Sequence, residues 1–239
     1  MIRLAVLLCA AAALAAGCGS SGGSRLTVFA ASSLAEVFPE IDPSARYELA
    51  GSGALATQIR EGAGADVYAA ASPRYTAELF AEGLVEQPRV FATNRLVLIV
   101  PSGNPAGVRS VPDLAGPGVK LVLGAEGVPV GDYAREALAA LGADAVLANV
   151  VSEEDDVRGI VSKVALGEAD AGFVYATDVR PVAGKVRAIE LPPEAQPQIE
   201  YLIAVVKGSA RHAAAEAFVQ RVLGPGGRSA LEREGFGLP

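Results

Sequence analysis

Tryptophan is absent from the 239-residue chain, which has one histidine and one methionine. Few groups are therefore left for acid–base chemistry or metal ligation. Serine hydrolysis needs a base beside its nucleophile, and His212 falls in an alanine-rich stretch, 210–218, that reads as an exposed helix. No G-x-x-x-x-G-K-[ST] run occurs, and Gly62-Ala-Gly-Ala-Asp66 lacks the strand–turn–helix context of a dinucleotide site. No set of His, Cys and Asp has zinc-ligand spacing. These absences argue against an enzyme and against a resident cofactor. Long basic runs are also missing and the net charge is −7, which argues against nucleic-acid binding. An acidic chain that binds an anion must do so with local donors, because its overall field opposes the ligand.

The two cysteines, Cys9 and Cys18, lie in the first eighteen residues. That segment has a charged start at Arg3, a short apolar run and small residues before Cys18, as an export signal does. It is too short and too alanine-rich for a spanning helix. Ala15-Ala-Gly-Cys18 resembles a bacterial lipobox, which implies cleavage after residue 17 and lipidation of Cys18; the alternative is an ordinary secretory signal. Residues 18–25 then form a flexible tether. The mature domain would hold no cysteine, so disulfide and thiol chemistry are closed to it.

What is present is a chain with 51% hydrophobic and 20% charged residues, in the range of folded soluble proteins. Apolar strand patterns at 26–31, 46–50, 66–71, 95–100, 119–123, 145–151, 171–175, 186–191 and 201–206 alternate with helical ones. The helical patterns cover 55–61, 74–82, 132–141, 157–166 and 210–223. This alternation predicts an α/β fold with mostly parallel sheets. The turn-rich stretch 101–107 reads as a domain boundary.

Several helix starts look alike. Phe29-Ala-Ala-Ser-Ser-Leu34 and Ala50-Gly-Ser-Gly-Ala-Leu55 each lead from a strand through small residues and a serine into a helix. Gly127 to Leu138 and Glu154 to Val164 are further starts, with Pro129 suited to a first turn. Helix N-termini carry unpaired N–H groups and the positive dipole end, so they bind oxyanions. The plain alternative for Ser33-Leu-Ala-Glu36 is a capping box. A serine can do both, accepting from the backbone while donating to an anion.

The ordered series of these two motifs with Ala65-Asp-Val-Tyr68, Val128 to Ala134, Glu154 to Gly159 and Gly172 to Asp178 resembles the periplasmic molybdate-binding proteins of ABC importers. The resemblance runs from Leu26 to the C-terminal stretch 229–239. It implies a type II periplasmic-binding-protein fold: two α/β lobes joined by two crossing strands, with a ligand cleft between them. Lobe 1 would be 26–94 plus 202–239 and lobe 2 would be 95–201, with crossings at 94–101 and 199–206. The ligand implied is molybdate or tungstate, and the partners are an ABC permease and its ATPase. The receptor would be a monomer, exported and lipid-anchored. Carried over position by position, the anion donors fall on the hydroxyls of Ser33 and Ser52, the backbone at Val130 and Val157, and the phenol of Tyr175. The chain departs from the pattern at the second loop, reduced to Gly51-Ser52-Gly53, and at Val130, where alanine is usual. Sulfate, or a tethered oxyanion sensor without transport, are the alternative readings. No protein ligand to the metal itself is implied, and affinity is expected to stay flat between about pH 6 and 8, since no assigned group titrates there.

Asp155 and Asp156 read as helix caps with no ligand role, and Arg158 as the partner of either. Asp66 and Asp178 read as structural.

Overall fold

The computed structural model describes residues 25–239; the expected export signal and Cys18 lie outside the described residues. Ten strands run in chain order as β1 Thr27–Ala31, β2 Arg46–Ala50, β3 Val67–Ala70, β4 Arg89–Asn94, β5 Leu96–Pro101, β6 Leu121–Gly124, β7 Val150–Glu154, β8 Ala171–Tyr175, β9 Val186–Glu190 and β10 Ile199–Val205. They form two five-stranded sheets, ordered β2-β1-β3-β10-β4 and β7-β6-β8-β5-β9. In the first, β1 is parallel to β2 and β3; in the second, β6 is parallel to β7 and β8. The antiparallel members are β10 beside β3 and β4, and β5 beside β8 and β9. Central strands such as β5 and β8 are nearly continuous apolar runs, as burial on both faces requires. The helices are α1 Val37–Ile41, α2 Ser52–Arg60, α3 Pro73–Ala81, α4 Pro129–Ala140, α5 Val157–Ala165, α6 His212–Leu223 and α7 Pro225–Arg233.

The chain passes from the first sheet to the second at Arg95 and returns over residues 191–198. The expected return at 199–206 is instead β10, which lies whole in the first sheet. Gln196 ties the two passages together, donating to Leu96 O at 2.9 Å and accepting from Leu96 N at 3.1 Å. One buried cluster runs through both sheets. Its aromatic spine packs Tyr201 edge-on to Phe91, Tyr175 and Phe236 at 6.1, 5.8 and 5.4 Å. Edge-to-face pairs of this kind add to the stabilisation from area burial alone.

Several elements differ from the sequence expectations. The capping box at Ser33–Glu36 does not form. Residues Ser32–Leu34 are a 3-10 turn without a side-chain cap, and the Ser33 hydroxyl goes to Tyr201 instead. The strand expected at 145–151 is a 3-10 turn over Asp144–Asn149 followed by β7. Asn149 holds that turn by donating to Leu114 O and Gly116 O at 2.7 and 2.9 Å. The turn-rich stretch 101–107 falls between elements of the second sheet's half rather than at the passage between sheets. Its tightness shows in Asn104 at φ 42° and Gly107 at φ 69°.

Candidate anion site

A narrow cavity lies where the two sheets face each other. Three of its walls come from the carboxyl ends of β1, β2 and β3, and the others from those of β6, β7 and β8. Ligands of open α/β sheets bind at such strand ends, because the chain there turns into helix N-termini. Ser33, Ser52, Val130, Val157 and Tyr175 all line this one cavity, together with Ser32, Gly51, Val128 and Asp156. Ser32 borders the space beside Ser33.

The donors are arranged so that their protons remain free. Ser52 is 1% exposed at the first position of α2, and its Oγ accepts from Ala71 N at 3.1 Å. Its acceptor side is thereby occupied and its own proton is left for the cavity. Tyr68 fixes the same residue from behind, donating to Ser52 O at 2.7 Å. At α4, the N–H groups of Gly131 and Asp132 go to Val128 O, which leaves that of Val130 without an intrahelical partner. At α5, Asp156 caps Arg158 N and Gly159 N at 2.7 and 3.2 Å, and the N–H of Val157 stays open. Asp156 is therefore the cap expected of it, although it also borders the cavity. Arg158 pairs with neither aspartate; among the described residues its guanidinium makes no ion pair. It lines a neighbouring cavity with Asp178 instead.

Tyr175 carries the sharpest signal. Its hydroxyl is the one buried side-chain polar atom without a hydrogen-bond partner among the described residues. Burial holds the phenol well above its ordinary pKa, so it is a neutral donor. An unsatisfied buried hydroxyl costs about 1–3 kcal/mol, a cost that a ligand accepting its proton would remove.

Directly behind it, Tyr175 N donates to Asp178 Oδ2 at 3.1 Å. Burial raises the carboxyl of Asp178 to about 7, opposed by that backbone donor and by the charge of Arg158, and assisted by Asp156. The flat pH response expected from the sequence took no account of this carboxyl. A titrating group stands one residue layer from the cavity, and no pattern in the sequence marked its burial.

The halves also touch around the cavity. Tyr75 Oη, on α3, donates to Gly127 O ahead of α4, and Arg74 lies 3.8 Å from Asp132. Gly51 packs so closely on Asp155 that a Cβ would overlap its carbonyl oxygen. Tyr75 has no mark in the sequence, since a phenol on an amphipathic helix reads as core. No group of three His, Cys, Asp or Glu among the described residues could hold a metal ion. No helix among them is long and apolar enough to cross a membrane.

Known proteins share this architecture. The molybdate-binding protein ModA of Mycobacterium tuberculosis H37Rv is 37% identical over 230 residues, covering 92% of this chain and 87% of its own. The periplasmic molybdate-binding protein of Azotobacter vinelandii superposes with a TM-score of 0.79 at 23% identity, over 90% of this chain and all of that one. The sulfate-binding protein SubI of M. tuberculosis superposes at 0.74 with 18% identity, over 89% and 86%, so these two likenesses speak for the fold alone. The bacterial extracellular solute-binding protein family matches residues 26–237, and the chain belongs to it.

Proposed function

We propose that the protein binds molybdate, and tungstate with it, in the cavity between the sheets and delivers it to an ABC transporter permease and its ATPase. The observation that carries this reading is the orphaned hydroxyl of Tyr175, which lines one pocket with Ser33, Ser52 and two open helix N-termini. A tetrahedral dianion offers acceptors alone, and these groups offer protons. The identity to ModA supports molybdate as the member of that class. The two sheets with their helices are the two lobes, and an anion held by both favours the closed arrangement by its differential affinity.

The protein is a receptor rather than an enzyme, and it acts as a monomer. It is anchored outside the cytoplasm through lipid on Cys18, since two acyl chains hold a protein stably at a membrane. Cys18→Ser should release ligand-competent protein or leave the leader uncleaved; a native protein that is soluble and unlipidated would refute the anchor. Sulfate is the second reading, because the fold is shared with a sulfate-binding protein. Calorimetry of the mature chain with molybdate, tungstate and sulfate decides: the proposal requires molybdate and tungstate to bind and sulfate to compete poorly. Uptake in a deletion strain separates an importer component from a sensor.

A further inference from the structure

We infer that Asn94 and Tyr201 are positioning residues for the anion site, forming an oriented hydrogen-bond relay that turns the proton of Ser33 toward the ligand. This rests on the proposed role of Ser33 and adds what sets its direction.

Asn94 is the last residue of β4, where the chain leaves the first sheet. Its Oδ1 accepts from Arg95 N at 2.9 Å, which fixes the orientation of the amide. Nδ2 therefore faces Thr177 Oγ1 at 3.0 Å and Tyr201 Oη at 3.4 Å, and donates to both. Tyr201 is fully buried, and its ring is held edge-on by three other aromatics. A register shift in the β10–β4 pairing between Tyr201 and Leu202 marks the spot, and such bulges re-aim a side chain.

A phenol has one proton. With Asn94 donating to Tyr201 Oη, that proton has one acceptor among the described residues, Ser33 Oγ at 3.0 Å. The reverse arrangement, Ser33 donating to Tyr201, would leave the phenolic proton facing a donor. Ser33 therefore accepts from Tyr201, and its own proton is free for the cavity it lines. The order of donation runs from Asn94 to Tyr201 to Ser33 to the anion, and each link polarises the next. Ser52 reaches the same end by accepting from Ala71 N. The relay also places its origin at the passage between lobes, with Thr177 on the other side.

The test is a mutant cycle on the mature full-length chain, read by molybdate calorimetry, with thermal unfolding of the free protein as the fold check. Tyr201→Phe keeps the ring and removes the link, and should weaken binding about threefold to tenfold, the size of one neutral hydrogen bond. In a Ser33→Ala background the same change should cost almost nothing, because there is no hydroxyl left to orient. Asn94→Asp replaces the donor by an acceptor, so Tyr201 turns its proton away and Ser33 must donate to Tyr201. Its affinity should fall by more than about tenfold, and adding Tyr201→Phe should restore part of the loss by releasing Ser33. A purely structural role predicts additive losses and no such rescue, and that result would overturn the relay. So would wild-type affinity in a folded Tyr201→Phe protein. If Tyr201→Phe does not fold, Asn94→Asp in the wild-type and Ser33→Ala backgrounds carries the same cycle, with its charge effect common to both. Unchanged affinity in Ser33→Ala refutes the assigned role of Ser33 and the relay with it. Loss in Ser33→Ala without loss in Tyr201→Phe refutes the relay alone.

Discussion

The phenol of Tyr75 donates to the carbonyl oxygen of Gly127, joining a helix of the first lobe to the loop that opens α4 in the second. Gly127 N is held in turn by Asp132 Oδ1 at 2.9 Å, so the bond closes on a braced loop. It lies beside the cavity and touches none of its proposed donors. Tyr75→Phe should therefore leave association nearly unchanged and speed molybdate release by roughly threefold to tenfold, as loss of one hydrogen bond in the closed state would. Stopped-flow dissociation measures it; an unchanged off-rate would show that the contact does not latch the lobes.

Tyr175→Phe separates ligand binding from stability. The hydroxyl has no partner in the protein, so its removal takes away a buried polar group that nothing satisfies. Affinity for molybdate should drop by about one to two decades. The melting temperature of the free protein should stay level or rise. A fall in both would mean that the hydroxyl serves the fold.

Phosphate should be rejected. Near neutral pH it retains a proton much of the time, by analogy with phosphate esters whose second pKa is about 6. That proton would face Ser33, Ser52 and Tyr175, all presenting their own. Asp156 borders the cavity; its Oδ1 is engaged by two backbone N–H groups, and its Oδ2 is the acceptor that the test must exclude. Competition titrations at pH 6 and 8 test this: phosphate displacing molybdate at comparable concentration would show that an acceptor is available.

Asp178 should give the protein a pH response. Its folded pKa, about 7, lies above the ordinary 3.8. The folded form therefore holds the proton more tightly than the unfolded chain. The associated stability is complete below about 4 and is lost as pH rises through about 7. Asp178→Asn keeps an oxygen for Tyr175 N and never ionises. Its melting temperature should match the wild type near pH 4, rise above it as pH approaches 7, and hold that lead beyond. A bound dianion also opposes ionisation of Asp178, so wild-type affinity should decline above about pH 7 while that of Asp178→Asn stays flat. Parallel curves for the two proteins would place the titration elsewhere.

The sequence made the parallel strands of the first sheet legible for one reason: β1, β2 and β3 end in small residues just before helical turns, and that pattern is local. The five assigned residues were legible by resemblance, and they meet in one cavity. What stayed hidden depends on distant partners. Ser33 looked like a cap because Glu36 stands three residues on, but the hydroxyl goes to Tyr201, 168 residues away. Strand β4, Arg-Val-Phe-Ala-Thr-Asn, mixes polar and apolar residues, because it lies at the sheet edge, with β10 as its one strand neighbour and a bridge from Thr93 to Gly237 on the other side. Helix α7 begins Pro-Gly-Gly, which reads as a loop until its later turns pack against α6 and α1. The apolar run 145–151 could be strand or turn, and Asn149 decides it through two carbonyls contributed by residues 114 and 116.

Gly51 sets how far the two lobes can approach. Its bare α-carbon rests against the carbonyl of Asp155, and the smallest side chain would strike backbone rather than a yielding group. The absence of one methyl is thus a mechanical tolerance, fixing the depth of closure for every ligand the cavity accepts. Gly51→Ala should act as a wedge, leaving the hinge, the donors and the charge intact while the cleft stops short of sealing. Such a protein would sample the anion and let it go, and small-angle scattering with saturating molybdate should find it more open than the wild type. A receptor jammed ajar in this way would also reveal whether the transporter reads the bound anion itself or only the shape that closure gives to the surface around it.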